Sequence, residues 1–170
     1  EGQVVQLARR EWIAVHTPGH TGDHLCLYDP VEKLFISGDH VLPTITPHIA
    51  GHSAGNALVD PLAQFFSSLE RMHDFDVDLV LPAHGHPFTD LKGRADHILE
   101  HHHERLDVIR DAAGDLPEGT VNDYMKRMFR ERSWGDMAES ETFAHLEHLR
   151  LAGEATVVDR DGVLVYCLDR

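Results

Sequence analysis

Three short β-prone runs in this chain each break off into a glycine-containing loop that carries histidine or aspartate. Residues 12–15 lead into His16-Thr17-Pro18-Gly19-His20-Thr21-Gly22-Asp23-His24. Leu34-Phe35-Ile36 leads into Ser37-Gly38-Asp39-His40, and Val77 to Leu81 leads into Pro82-Ala83-His84-Gly85-His86-Pro87. Glycine lets the backbone turn sharply and proline excludes a regular helix, so these segments are loops at strand ends. A chain written this way folds around a sheet whose strand ends present polar side chains to a shared cleft.

The remaining pattern alternates strands with helices. Val4 to Leu7 and residues 12–15 flank Arg9-Arg10-Glu11 as a hairpin, and Leu25 to Tyr28 is a further strand. Asp60-Pro61 opens a helix with Asp as N-cap and Pro at the first helical position. Leu62, Phe65, Phe66, Leu69 and Met72 then form one apolar stripe. A second helix runs from about Asp90 to Ala113, with Ala95, Ile98, Leu99, Leu106 and Ile109 on its stripe. His102 falls on that stripe and reads as a core histidine. Residues 41–59 have no period and carry Pro43, Pro47, Gly51 and Gly55, which reads as a long surface loop.

Gly114 to Gly119 is a linker, and the pattern changes after it. Thr120-Val121-Asn122-Asp123 resembles a capping box that opens a helix through about Phe129. Glu139 to Ala152 is another helix, with Phe143, Leu146, Leu149 and the Arg150 stem facing inward and with His145 and His148 as ordinary helix residues. Ala155 to Val158 and Val163 to Tyr166 flank an Asp-Gly turn as a hairpin. Helix, helix, hairpin is the order of a winged helix. The expected division is therefore 1–114 and 115–170.

Composition narrows the function. Apolar residues are 42% and charged residues 26% of the 170, which excludes a disordered or collagen-like chain. No run of 18 apolar residues is present, so no membrane-spanning helix is expected. The net charge of -14 opposes binding to phosphate backbones. In 115–170 the same holds, with 12 acidic against 7 basic residues and a candidate recognition helix bearing Glu139, Glu141 and Glu147. Cys26 and Cys167 lie far apart with no CxxC, which fits a reducing, cytoplasmic setting. The chain opens at Glu1 without a Met and reads as starting inside a larger protein.

Histidine is the outlier, with 15 residues, 13 of them within the first 103. Imidazole and carboxylate together suit zinc, with iron or manganese as relatives. His20, Asp39 and His84 are the candidate ligands, because each sits beside a glycine at a strand end. His16, His24, His40, His48 and His52 are candidates for orienting a ligand or lining the cleft.

Thr-Pro-Gly-His-Thr at 17–21, Ser-Gly-Asp-His at 37–40 and Pro-Ala-His-Gly at 82–85 resemble, in order and spacing, the later metal motifs of the metallo-β-lactamase superfamily. The tail after the linker resembles that of a winged-helix-bearing branch. The resemblance implies an α+β fold: half of a four-layer αββα sandwich followed by a winged-helix domain. It implies that the residue matching His20 completes the first metal's ligands, that Asp39 bridges two metals, and that His84 binds the second. It implies a hydrolase with two zinc ions per intact parent domain, acting on an ester, thioester, lactone or phosphodiester.

The departure is the absence of the family's first motif, His-x-His-x-Asp-His. The expected site is incomplete in these 170 residues, so weak metal binding and no useful hydrolysis are expected of this chain alone. Half a sandwich exposes one apolar sheet face, which predicts self-association through it or disorder of residues 1–60. The competing expectation is a non-catalytic module that uses the winged helix to bind a partner or RNA.

Overall fold

The computed structural model describes residues 2–51 and 59–168. They form two compact units, one of residues 2–47 and 63–100, the other of 48–51, 59–62 and 101–168. The first unit is built on a five-stranded sheet: β1 (Val4–Leu7), β2 (Arg10–His16), β3 (Leu25–Asp29), β4 (Leu34–Gly38) and β5 (Leu79–Pro82), in that order. β1 to β4 are antiparallel and β5 runs parallel to β4. A parallel pair needs a crossover, and α1 (Pro61–Glu70) lies within the one between β4 and β5.

The register sorts the sheet into two faces. Ile13, Tyr28, Phe35 and Val80 are cross-strand partners, and Val15 pairs with Cys26. Of these, Val15, Cys26, Phe35 and Val80 are buried, as are Phe65, Phe66, Leu69 and Met72 of the expected stripe. Phe75 joins Tyr28 and Phe35 in an aromatic cluster with ring centroids 5.1–5.2 Å from it. On the other face Leu27, Ile36 and Leu81 are partners, with Leu34 and Leu79 beside them. None of these five is buried, and Leu25 is 53% exposed. That apolar face is half-open.

The segment after Asp39 corrects the surface-loop expectation. Val41, Leu42 and Ile49 are buried, so the described part of 41–59 contributes to cores despite having no period. Arg94 clamps the start of it, donating from Nε to the Leu42 carbonyl (2.6 Å) and from Nη2 to the Ile45 carbonyl (2.8 Å). Irregular backbone satisfied by side chains leaves no periodic signature.

α2 (Leu91–Ala112) carries the expected buried positions Ala95, Ile98, Leu106 and Ile109. In the second unit β6 (Glu118–Thr120), α3 (Val121–Met128), α4 (Asp136–Leu151), β7 (Ala155–Arg160) and β8 (Val163–Leu168) follow. β6, β8 and β7 make a three-stranded antiparallel sheet. The capping box is formed. Thr120 Oγ1 accepts the Asp123 N–H, and Asp123 Oδ2 accepts the Thr120 N–H at 2.9 Å. The hairpin turn is tighter than expected, with Asp161 and Gly162 both at positive φ. The strand β6 had no sequence signal, since Glu-Gly-Thr is three residues without alternation.

α4 starts earlier than expected, and its inward face is different. Leu146 and Leu149 are buried, but Phe143 and Arg150 are only half-buried. Glu141, Ala144 and His145 are buried instead. His145 is thus a core residue rather than an ordinary helix histidine. Its Nδ1 donates to the Glu141 carbonyl (2.7 Å), so its Nε2 is bare and accepts from His102 Nδ1 (3.1 Å). His102 is fully buried, as its place on the stripe predicts. Arg105 pairs with the Glu141 carboxylate and lies over the Phe129 ring, 4.6 Å from its centroid.

Burial holds both imidazoles neutral, with the pKa pushed down to about 2 for His102 and about 3 for His145; Arg105 nearby adds to it. In the unfolded chain both titrate near 6.5. The unfolded state therefore binds more protons below pH 6.5, and stability falls as pH falls. The loss is up to about 1.4 kcal/mol per pH unit for each imidazole. Thermal melts between pH 7 and pH 4 should show the melting temperature dropping steadily below pH 6.5. A melting temperature that stays flat to pH 4 contradicts this account of the two buried histidines.

Candidate functional site

The three strand-end loops converge. Asp39, which directly follows β4, stands between two imidazoles: its Oδ1 is 3.3 Å from His84 Nε2 and its Oδ2 is 4.0 Å from His20 Nε2. His84 is 67% exposed at its side chain, while His20 and Asp39 are 29% and 34% exposed. One carboxylate with its two oxygens turned toward two different imidazoles is the arrangement that a bridging ligand needs. Histidine and aspartate that are partly open to solvent suit a divalent metal that keeps a free coordination position.

Local chemistry explains why each loop ends where it does. Gly19 has φ +143 and passes so close to α1 that an added Cβ would lie 2.4 Å from Phe65 Cβ. Ser68 Oγ of the same helix donates to the Pro18 carbonyl (2.9 Å), and Arg71 Nη1 donates to the His16 carbonyl (3.1 Å). The loop bearing His20 is thereby pressed onto α1. The loop bearing Asp39 turns at Gly38, whose φ is +55 and where a Cβ would meet His24 Nε2 at 2.7 Å. The loop bearing His84 is tied to the second, because the Ala83 N–H donates to the Gly38 carbonyl (2.9 Å).

The other candidate histidines take different places. His16 Nε2 bonds the Gly22 carbonyl (3.0 Å), so this side chain braces its own loop. His24 Nδ1 lies 2.7 Å from Thr17 Oγ1, and its Nε2 accepts the Asp39 N–H (3.2 Å). Burial and the neighbouring His20 hold its pKa below the ordinary value. His40 is fully buried edge-on against Phe65 (5.2 Å between centroids) and beside His24 (6.0 Å). Burial pushes its pKa down to about 3, with His24 contributing. His48 belongs to the second unit, where its Nδ1 is 3.5 Å from Glu141 Oε2. His52 lies outside the described residues.

A second group with metal-ligand chemistry was not read from the sequence. Ligand atoms of His102, Glu141 and His145 all lie within 4.8 Å of one another, and all three residues are buried. Glu141 and His145 are one helical turn apart, which is the only signal the sequence offered for it. In this group Arg105 already balances the Glu141 charge and the two imidazoles bond each other. Those contacts close the group, whereas the Asp39 carboxylate is partly exposed.

A family model described as the metallo-beta-lactamase superfamily matches residues 1–84, which include His20, Asp39 and His84. A lactamase-like protein, aptB of Emericella nidulans, is 32% identical over 109 residues, covering 64% of this chain and 32% of that protein. An atrochrysone carboxyl ACP thioesterase of Aspergillus chevalieri is 33% identical over 118 residues, covering 69% and 34%. Among solved structures, a beta-lactamase domain protein from Burkholderia ambifaria superposes with a TM-score of 0.87 at 34% identity, covering 98% of this chain and 51% of that one. A metallo-beta-lactamase family protein from Thermus thermophilus gives 0.85 at 25% identity, covering 99% and 53%. The chain spans about a third of the length of these sequence relatives and about half of these solved chains. With His20, Asp39 and His84 inside the matched region and nearly its whole length matched by solved relatives, the chain belongs to the metallo-β-lactamase superfamily.

Proposed function

We propose that this chain carries part of the metal site of a metal-dependent hydrolase, with His20, Asp39 and His84 as ligands and zinc as the metal. The observation that supports it most is the Asp39 carboxylate set between His20 Nε2 and His84 Nε2. Zinc held there would polarise a substrate carbonyl and lower the pKa of a water. The chain's own part is positional: Gly19 packed on α1, Gly38 turned beside His24, and Ala83 tied to β4 hold the three ligands in one cleft.

A thioester is the substrate class that the relatives' names favour, among the ester, thioester, lactone and phosphodiester that the family's chemistry allows. In this reading a segment bearing His-x-His-x-Asp-His completes the ligand set, and these 170 residues alone hold metal weakly and hydrolyse nothing usefully. Elemental analysis of this chain and of a longer polypeptide with that motif upstream tests it. The longer protein should retain close to two zinc ions and hydrolyse acyl thioesters, and this chain neither. His84→Ala or Asp39→Asn in the longer protein should lower zinc content and cut turnover by a factor of about 100 or more. Stoichiometric zinc in neither protein overturns the proposal.

The order β6, α3, α4, β7, β8 fits a winged helix in which the tail packs or dimerises rather than binding nucleic acid. The -14 charge and the acidic α4 support that choice. The open face bearing Leu27, Ile36 and Leu81 supports self-association of this chain. Light scattering should report a dimer or larger species that Ile36→Lys shifts toward monomer. A clean monomer with a cooperative melt contradicts it.

A further inference from the structure

The peptide group between Gly38 and Asp39 is held from both sides. Its carbonyl, that of Gly38, accepts the Ala83 N–H at 2.9 Å, one residue before His84. Its N–H, that of Asp39, donates to His24 Nε2 at 3.2 Å, four residues after His20. The His24 backbone also closes the His20 loop, accepting the Thr17 N–H at 2.9 Å. One peptide unit thus ties together the loops that carry all three proposed ligands. We propose that His24 is a positioning residue: its bare Nε2 takes the Asp39 N–H and so sets where the Asp39 carboxylate stands between His20 and His84. This rests on the metal-site reading above for its purpose, but not for its geometry.

The hydrogen bonding dictates a single form of the ring. A backbone N–H can only donate, so His24 Nε2 carries no proton. The proton of the neutral ring is then on Nδ1, which donates to Thr17 Oγ1 at 2.7 Å. Thr17 is fully buried, and its hydroxyl lies 3.3 Å from the Cys26 sulfur and 3.5 Å from the His24 carbonyl, which can accept its proton. Cys26 in turn donates from Sγ to the Ser37 carbonyl at 3.4 Å, back in the turn that carries Asp39. These contacts link the His24 ring to the turn that carries Asp39. Glycine at 38 completes it, because any Cβ there would stand 2.7 Å from His24 Nε2.

Long-range ¹H–¹⁵N correlation of the imidazoles in this chain, without metal, reads the tautomer directly. The expected pattern for His24 is a protonated Nδ1 and an unprotonated Nε2. A proton found on Nε2 overturns the proposal. His24→Leu should speed exchange of the Asp39 amide by about tenfold, the loss of one hydrogen bond. The Val80 and Phe88 amides, which pair with each other, should keep their protection and report an intact sheet. His24→Gln can present a carbonyl oxygen near the Nε2 position and should restore Asp39 exchange to within about threefold of the parent. Equal exchange in parent and His24→Leu, with the sheet intact, overturns the proposal. A zinc titration of the longer protein should show affinity lowered about tenfold by His24→Leu and recovered by His24→Gln. If the unsubstituted longer protein takes up no zinc, the metal-site reading falls, and the tautomer and exchange results still decide the role of His24.

Discussion

The bonds made by the Gly38–Asp39 peptide group are the constraint on which the rest of the site depends. β4 ends there, and its last carbonyl reaches the neighbouring loop of β5 while the next N–H reaches His24. A peptide can serve both partners only if nothing crowds it, and glycine in the left-handed region meets that condition. With that peptide held on both sides, the point from which the Asp39 carboxylate projects is set. That leaves its oxygens turned to His20 and His84. Around this point the unit is stiffened by Ser68 of α1 and Arg71 just after it, which grip the His16–Gly19 segment, and by Arg94, which clamps the Leu42–Ile45 segment.

Much of this is legible in the sequence because punctuation is local. Gly19, Gly38 and Gly85 all sit at positive φ, and each adjoins a proposed ligand. The apolar stripes of α1 and α2 and the capping box at Thr120 follow from periodicity and spacing within one element, and all three form. The position of the hairpin follows in the same way from Asp161-Gly162.

What is not legible depends on contacts between distant residues. Nothing in the string around His24 says that its ring meets an amide 15 positions away, since a histidine on a loop looks alike whether it braces, ligates or is solvated. His145 escapes for a related reason. A helix normally buries aliphatic residues, and here a polar ring is buried because His102 supplies its partner from 43 positions earlier. The segment 41–51 escapes because irregular chain whose backbone groups are satisfied by Arg94 shows no period. The placement of residues 48–51 and 59–62 in the second unit has no compositional mark at all.

Among the described residues, two of the groups with metal-holding residue types are separated by their surroundings. His102, Glu141 and His145 are buried with a guanidinium already on the carboxylate, so the group is neutral as it stands. His20, Asp39 and His84 are open to solvent, and among the described residues no cation from Lys or Arg pairs with Asp39. A divalent ion gains from the second group and must displace Arg105 in the first. The most direct measurement is anomalous scattering at the zinc edge from crystals of the longer protein grown with zinc. The account predicts peaks within about 2.0–2.2 Å of His20, Asp39 and His84 ligand atoms. Peaks only at His102, Glu141 and His145, or none beside Asp39, would contradict it.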